Sequence, residues 1–274
     1  MIVVVGNNSF IARKFLALQD STTIVSVGYA ELSKIKDINN ITCIINFAFA
    51  PDLYNGPYQS ELDIDKKIGT FAATHGVHYV MMSSRKVYHP DCQWGAREDS
   101  LATGQDIYGK NKVRIEQYLS QLLGPKLTIL RPGNIFGFEY DQKRMRFGAY
   151  MLNQLADKHE IKLTISPRVR RDIVPVDYFC EVLDQVVKKK PSGVINVGSG
   201  QAIGVGKIAE AILKGFGGGK LIAESSTILD EFELDSGRLA SELGFICGIE
   251  RVVEFSTSLG QQLKKEIEKN DSKN

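Results

Sequence analysis

The chain has 274 residues, enough to bury a full core as one large domain or a domain and a half. Its 34 Lys and Arg against 32 Asp and Glu are spread along the sequence, so neither nucleic acid nor an anionic membrane is expected as a partner. Four scattered cysteines (Cys43, Cys92, Cys180, Cys247) offer no Cys-x-x-Cys and no zinc spacing, and no apolar run approaches the ~20 residues that span a bilayer; a cytoplasmic, soluble protein with reduced thiols and no metal is expected.

Met1 to Gly6 is a continuous apolar run, as in a strand buried on both faces of a parallel sheet. Gly6-Asn7-Asn8 turns the chain, and Ser9 to Leu18 carries helical periodicity through Phe10, Ile11, Phe15 and Leu18. Further strands are expected at Thr23–Val27, Thr42–Ala50, His78–Ser83 and Leu127–Arg131, with helices over Asp63–His75 and onward from Tyr108. This alternation predicts a doubly wound α/β sheet of the Rossmann kind, whose ligands lie at the carboxyl ends of the strands.

The second half is less regular. Gly137 to Arg171 is polar, with a basic cluster (Lys143, Arg144, Arg146) and a helix-like piece near Met151–Lys158. A helix over Asp177–Lys190, a strand at Gly193–Val197 and a helical stretch at Gly204–Lys214 follow; Gly215–Gly219 reads as a flexible turn, and the charged tail Lys264–Asn274 is expected to fray. The predicted division is a dinucleotide-binding domain of residues 1–136 and 172–198, with a substrate-binding lobe of 137–171 and 199–274. Gly215-Phe-Gly-Gly-Gly-Lys220 is not a phosphate loop: its first glycine is misplaced, and Leu221 stands where a magnesium-binding Ser or Thr is needed.

Three stretches carry chemistry. On a helix, Tyr108 and Lys112 sit one turn apart on the same face. An ammonium beside a phenol favours the phenolate, lowering its pKa from about 10 toward working pH, so the tyrosine can exchange a proton while a hydride moves at the adjacent carbon. The turn Gly6-Asn7-Asn8-Ser9-Phe10-Ile11-Ala12 has the spacing of a Gly-x-x-Gly-x-x-Gly dinucleotide turn but keeps only its first glycine, with Ser9 and small Ala12 at the other two places. The second strand ends Val27-Gly28-Tyr29-Ala30, with no acid until Glu31, while Arg13 and Lys34 offer positive charge; NADP is therefore preferred over NAD.

With those pieces, further segments resemble the extended short-chain dehydrogenase/reductases that act on nucleotide-linked sugars, nearly end to end. Ile45-Asn46-Phe47-Ala48-Phe49-Ala50 is similar to the family's Asn-x-Ala-Ala strand end, and Ser83-Ser84-Arg85-Lys86-Val87-Tyr88 to its Ser-Ser-x-x-Val-Tyr segment. Arg131-Pro-Gly-Asn134-Ile-Phe-Gly137, Arg171-Asp172-Ile-Val-Pro-Val176-Asp177 and Asn196-Val-Gly-Ser-Gly200 resemble three more, in the family's order. The resemblance implies a catalytic triad of Ser84, Tyr108 and Lys112, with Ser84 also touching substrate. It implies cofactor contacts from Gly6, Asn8, Ser9, Phe10, Ile11, Arg13, Phe47 and Ala48, besides Tyr108 and Lys112. Asn134 and Arg171 align with residues that bind the diphosphate of the sugar nucleotide, a task suited to a planar guanidinium. Arg131 and Asp177 read instead as a structural ion pair or cap.

Two departures shape the expected function. The family's 4,6-dehydratases carry acids directly after the Ser or Thr, because elimination of water needs its own acid and base; Arg85 and Lys86 stand there, so dehydration is rejected. The Asn that many members carry in the helix before the serine strand is missing, with Asp63 or Asp65 near its place. The expected activity is NAD(P)H-dependent reduction of a keto carbon, C4 above all, of a nucleotide-linked deoxysugar destined for surface polysaccharide or another glycoconjugate. An NAD-retaining 4-epimerase is the alternative, and a non-catalytic NAD(P)-binding sensor or scaffold the third reading. A homodimer through the helices at Asp63–His75 and Tyr108–Leu123 is also expected, with Ile115 and Tyr118 as apolar positions outside the core face.

Overall fold

The structure is a computed structural model that describes residues 1–20, 22–140 and 147–271. The basic cluster Lys143, Arg144 and Arg146 lies outside the described residues. In chain order the elements are β1 (Ile2–Val5), α1 (Phe10–Leu16), β2 (Ile24–Val27), a 3-10 segment (Tyr29–Asp37), β3 (Cys43–Asn46), α2 (Asp52–Asn55), α3 (Ile64–His75), β4 (His78–Met82), α4 (Ile107–Leu123), β5 (Leu127–Pro132), β6 (Asn134–Phe136) and α5 (Phe147–Lys158). There follow β7 (Glu160–Leu163), β8 (Arg170–Arg171), β9 (Ile173–Pro175), α6 (Val176–Lys189), β10 (Gly193–Val197), β11 (Ile203–Gly204), α7 (Val205–Phe216), β12 (Lys220–Ala223), α8 (Gly237–Leu243) and α9 (Gly248–Asp271).

The chain forms two compact units. The first comprises Met1–Pro132, Phe179–Val197 and Asp235–Phe245. Its six strands pair in parallel in the order β10-β5-β4-β3-β1-β2. Their side chains alternate between the two faces, and in the inner strands β1, β3, β4 and β5 both faces are buried, which is why these strands read as largely apolar runs. Val3, Val5, Ile44, Tyr79, Met81, Leu127 and Ile129 form one core layer with Ile64, Ile68 and Ala72 of α3 and Ile115, Leu119 and Leu123 of α4. The intervening Val4, Cys43, Ile45, Val80 and Leu130 are buried on the other face. This is the predicted Rossmann-like parallel sheet with flanking helices. Ile115, expected outside the core face, is in the core, because the stripe it shares with Leu119 and Leu123 is the one α4 turns to the sheet.

The second unit comprises Gly133–Tyr178, Gly198–Leu234 and Ile246–Asn274. Three two-stranded sheets (β6 with β9, β7 with β12, β8 with β11), helix α5 and the helix pair α7 and α9 belong to it. A Cβ on Gly215 would stand 1.8 Å from the Thr257 carbonyl oxygen, and one on Gly260 2.0 Å from that of Ile212, so the two helices cross backbone to backbone. Gly215, expected in a flexible turn, is therefore a packing residue inside α7. The tail expected to fray from Lys264 is helical through Asp271, with Val252, Ser256, Leu259 and Leu263 buried along one stripe. Asp172 is the unit's polar anchor: its carboxylate accepts from Ser199 N and Oγ at 2.6 and 2.8 Å and from Leu234 N at 3.1 Å. Among the described residues no helix is long and apolar enough to cross a membrane.

Candidate active site

The chain leaves β1 outward to β2, then returns past β1 to β3, so the strand order reverses between β1 and β3. A crevice at the carboxyl ends of these strands is where an open parallel sheet holds its ligand. Gly6 closes β1 with φ +82°, and a Cβ there would lie 2.8 Å from the Ala48 backbone nitrogen, so only glycine fits both the turn and the close approach. Asn46 ends β3 by bonding its own turn, accepting from Ala48 N at 2.9 Å and donating to Ala48 O at 3.1 Å. That bend ends the strand at Asn46, four residues short of its predicted end. Ser9 is the N-cap residue of α1 without a side-chain cap bond, Ala12 is fully buried, Phe10 and Ile11 are half-buried, and Arg13 is exposed. Phe47 is half-buried and its N–H bonds Val5 O at 2.9 Å.

The acid missing from the end of β2 in the sequence is present there in space. The 3-10 segment folds Glu31 back until its carboxylate lies 3.4 Å from where a Cβ of Gly28 would stand. Lys34 bonds that carboxylate, and this bond, the Lys34 charge and the Gly28 N–H together hold Glu31 below the usual carboxylate range. Lys34 thus has its charge already engaged.

The residues of the expected triad meet. Ser84 follows β4 and Tyr108 opens α4; Lys112 lies one turn on, buried. Asp106 caps α4 by accepting from Gly109 N at 2.8 Å, and pairs with Lys86, which fixes the helix start against the turn that carries Ser84. Burial pushes the Tyr108 phenol above its ordinary value; Lys112 pulls it down, Tyr54 and Asp65 push it up, and a hydrogen bond with Ser84 pulls it down. The net direction is upward. Lysine therefore does not bring the phenol to working pH here, because burial and two further groups outweigh it.

Asp65 is one of those groups, and Asp63 and Asp65 have different jobs. Asp63 caps α3, accepting from Lys66 N, and also accepts from Tyr58 Oη. Asp65 is 1 % exposed and accepts from Asn46 Nδ2 at 2.8 Å, from Tyr79 Oη at 2.7 Å and from Lys112 Nζ at 3.4 Å. Lys112 also donates to Met82 O at 2.7 Å and lies 4.3 Å over the Phe49 ring. Burial opposes its charge, but Asp65, Tyr108 and Tyr54 raise its pKa overall.

An aromatic group completes the site. Tyr54 stacks on Tyr108 with ring centres 5.1 Å apart and planes 10° from parallel, and Phe49 meets both edge-on. Asn111 holds α2 in place for this, donating to Leu53 O at 2.8 Å and Gly56 O at 3.0 Å. Sequence reasoning missed Asp65 as a partner of Lys112, and missed Phe49, Tyr54 and Asn111. Asn111 alone left a signal, an amide inside the Tyr-x-x-x-Lys helix turn.

The remaining residues divide between the units. Arg131 is buried in the first, bonding Glu116 through Nε at 3.1 Å and Nη2 at 2.6 Å, with Ser83 donating to the same carboxylate. Arg85 bonds Gln93 and Gln105, at 3.1 and 3.4 Å. In the second unit, Arg171 pairs with Asp230 at 3.4 Å, Asn134 lies on β6 with its N–H bonded to Asp172 O, and Asp177 meets Arg251 at 3.6 Å. Among the described residues no group of three or more His, Cys, Asp or Glu is placed to hold a metal ion.

A parallel sheet with a glycine turn at its switch point, and a Ser, Tyr and Lys meeting beside it, defines a dinucleotide-binding oxidoreductase fold. The model of the NAD-dependent epimerase/dehydratase family matches residues 6–198, and the chain belongs to that family. Among solved structures it is similar to RMD from Pseudomonas aeruginosa complexed with NADPH (15% identity, 97% of this chain and 99% of that one, TM-score 0.77). It is also similar to dTDP-4-dehydrorhamnose reductase from Yersinia enterocolitica (17%, 94% and 99%, 0.72). A third likeness is to dTDP-glucose 4,6-dehydratase from Bacillus anthracis in complex with NAD (16%, 96% and 97%, 0.73). No curated protein matches the sequence.

Proposed function

We propose that the chain reduces a keto carbon, C4 above all, of a nucleotide-linked deoxysugar. The observation that carries this reading is Lys112, buried at the end of β4 with a bond to Met82 O at 2.7 Å, one helical turn on from Tyr108, whose phenol is acted on by both Lys112 and Ser84. The turn at Gly6 presents backbone rather than a side chain at the switch point, and Lys112 holds its ammonium at the end of β4, so these residues fit a nicotinamide dinucleotide. Such a cofactor, when bound, supplies the hydride that the carbonyl carbon accepts. Ser84 then holds the carbonyl oxygen, and Tyr108 Oη gives that oxygen its proton; the phenolate left behind recovers a proton from solvent. Arg85 and Lys86, engaged with Gln93, Gln105 and Asp106, stand where a dehydratase needs acids, which supports reduction over elimination. Asn134 and Arg171 are proposed to bind the diphosphate, and a homodimer through α3 and α4 belongs to the same reading, tested by sedimentation.

For the cofactor, the fold-back of Glu31 supports NAD(H) over the NADP(H) expected from sequence: a carboxylate there suits a ribose 2′-hydroxyl, repels a 2′-phosphate and engages Lys34. The same observation favours the second reading, a 4-epimerase that retains NAD. The test is titration of the fresh protein with NADH and NADPH by fluorescence, followed by loss of reduced-nicotinamide absorbance on adding nucleotide-linked 4-keto sugars, with Tyr108→Phe as control. Reversible NADH binding and keto-sugar-dependent oxidation, lost in Tyr108→Phe, is the expected result. Co-purified NAD that does not exchange overturns the reductase in favour of the epimerase. Binding without keto-sugar-dependent oxidation leaves the sensor or scaffold reading, and binding of neither form overturns all three.

A further inference from the structure

Among the groups that act on Tyr108, Lys112 supplies the positive charge, and its counter-charge is built into the scaffold. Asp65 reaches it from α3 at 3.4 Å, and the other carboxylate oxygen is fixed by Asn46 of β3 and Tyr79 of β4. All four side chains sit within the first unit, with Asp65, Lys112, Asn46 and Tyr79 each 3 % exposed or less. The Asp65 carboxylate thus accepts from two neutral donors and pairs with one ammonium. The groups facing Tyr108 are then Lys112 on its own helix, Asp65 from α3, the neutral Tyr54 from α2 and the neutral Ser84 after β4; Asp63 is the further charge beside Asp65.

We propose that Asp65 is a positioning residue of this site: by neutralising Lys112 where it stands, it keeps Tyr108 protonated, the form that gives a proton to a carbonyl oxygen. The consequence deepens the reductase reading and rests on it. A lysine left unneutralised would favour the phenolate, which takes a proton from an alcohol and so suits the oxidative half of an epimerase. An ammonium cancelled by Asp65 favours the phenol, which suits delivery of a proton to a ketone. Asn46 and Tyr79 are part of the device, since they fix the carboxylate that sets the charge.

The test needs no substrate. Tyrosine is labelled with carbon-13 at Cζ and aspartate at Cγ, and Tyr108 is assigned by Tyr108→Phe. In the wild-type protein at about pH 8, Tyr108 should be a phenol, titrating above the ordinary phenol value. Asp65→Asn keeps the shape and removes the charge, and should lower the Tyr108 midpoint by roughly one to three pH units; Asp65→Glu should restore it. A folded Asp65→Asn protein whose Tyr108 midpoint does not move overturns the proposal, whatever it does to melting temperature. If Asp65→Asn fails to fold, the wild-type titration decides: a protonated Asp65 or a Tyr108 phenolate at that pH overturns it. A protein that shows both expected titrations yet reduces no keto sugar overturns the proposed reaction and leaves the charge pairing standing.

Discussion

Replacing Gly109 by Ala tests whether the site depends on the close seating of α4 against the turn that carries Ser84. Gly109 follows Tyr108, and a Cβ there would lie 2.2 Å from the Lys86 carbonyl oxygen and 3.0 Å from its carbon. A relaxed carbon–oxygen contact is about 3.3 Å, so the shortfall is roughly 1 Å. The obstacle is backbone rather than a swinging side chain, and it can retreat only by moving the Ser84–Val87 turn. Alanine would gain up to about 1 kcal/mol of helix propensity, against an overpacking cost of about 1–3 kcal/mol. With the full propensity gain the clash should win by up to about 2 kcal/mol, lowering the melting temperature by up to roughly 8 °C at the 2–4 °C per kcal/mol usual for chains of this size. The larger effect should be chemical, because a displacement of about 1 Å at a proton-transfer contact costs on the order of a hundredfold in rate. Differential scanning fluorimetry and keto-sugar reduction, measured on the same preparation, give both numbers. A Gly109→Ala protein with wild-type melting and wild-type turnover would refute the argument that this contact positions Ser84 against Tyr108.

Three further perturbations have definite signs. Gly6→Ala places a Cβ against the Ala48 backbone at a φ of +82°, so NADH affinity should fall at least tenfold by calorimetry, while Tyr108→Phe retains it. Arg131→Met leaves Glu116 buried without its cation and should lower unfolding free energy by about 3–5 kcal/mol in urea; a loss below 1 kcal/mol would mean that the pair is not a structural one. His78 is 6 % exposed, with burial and then Lys190 lowering its pKa from 6.5 to about 4, so the unfolded chain takes up its proton first on acidification. That stabilising contribution is complete above pH 6.5 and is lost as pH falls toward about 4, by at most about 3 kcal/mol; His78→Gln should flatten this part of the stability–pH curve.

The sheet was legible because its inner strands are buried on both faces: Ile2–Val5, Cys43–Ile45, Tyr79–Met82 and Ile129–Leu130 are unbroken apolar cores of the strands expected there. The second unit was less so, since its strands are two to four residues long and pair with partners far away in sequence. Helix α9 did carry a signal in the spacing of Val252, Ser256, Leu259 and Leu263, but the charges of Lys264–Lys269 obscured it. Gly215 shows the limit of reading glycine as a loop residue: its lack of a side chain serves a helix crossing, and only coordinates reveal the Thr257 carbonyl opposite. In the site, Tyr108 and Lys112 could be paired because four residues is one turn of a helix, and Ser84 because its segment resembles one of the family's. Asp65 lies forty-seven positions before Lys112, and Tyr54 fifty-four before Tyr108, so no local pattern links them. Glu31 fails differently: the acid was visible, but the 3-10 fold-back that returns it to Gly28 was not.

Helix α4 carries two buried ion pairs one turn apart, and their geometry separates structure from chemistry. Glu116 and Arg131 are closed on each other, with two guanidinium bonds of 3.1 and 2.6 Å and Ser83 on the same carboxylate. A fork so filled has little left to offer a ligand, and its worth is the cost of breaking it. Lys112 and Asp65 touch at 3.4 Å, the long end of a charge-assisted contact, while the ammonium spends its one short bond on Met82 O and lies over the Phe49 ring. Close pairing would bind the lysine to the carboxylate alone; the looser contact balances its charge while its short bond goes to Met82 O. The Glu116–Arg131 pair between α4 and β5 is therefore a structural one. The turn that holds Tyr108 and Lys112 is built to keep its charges balanced and its donors available.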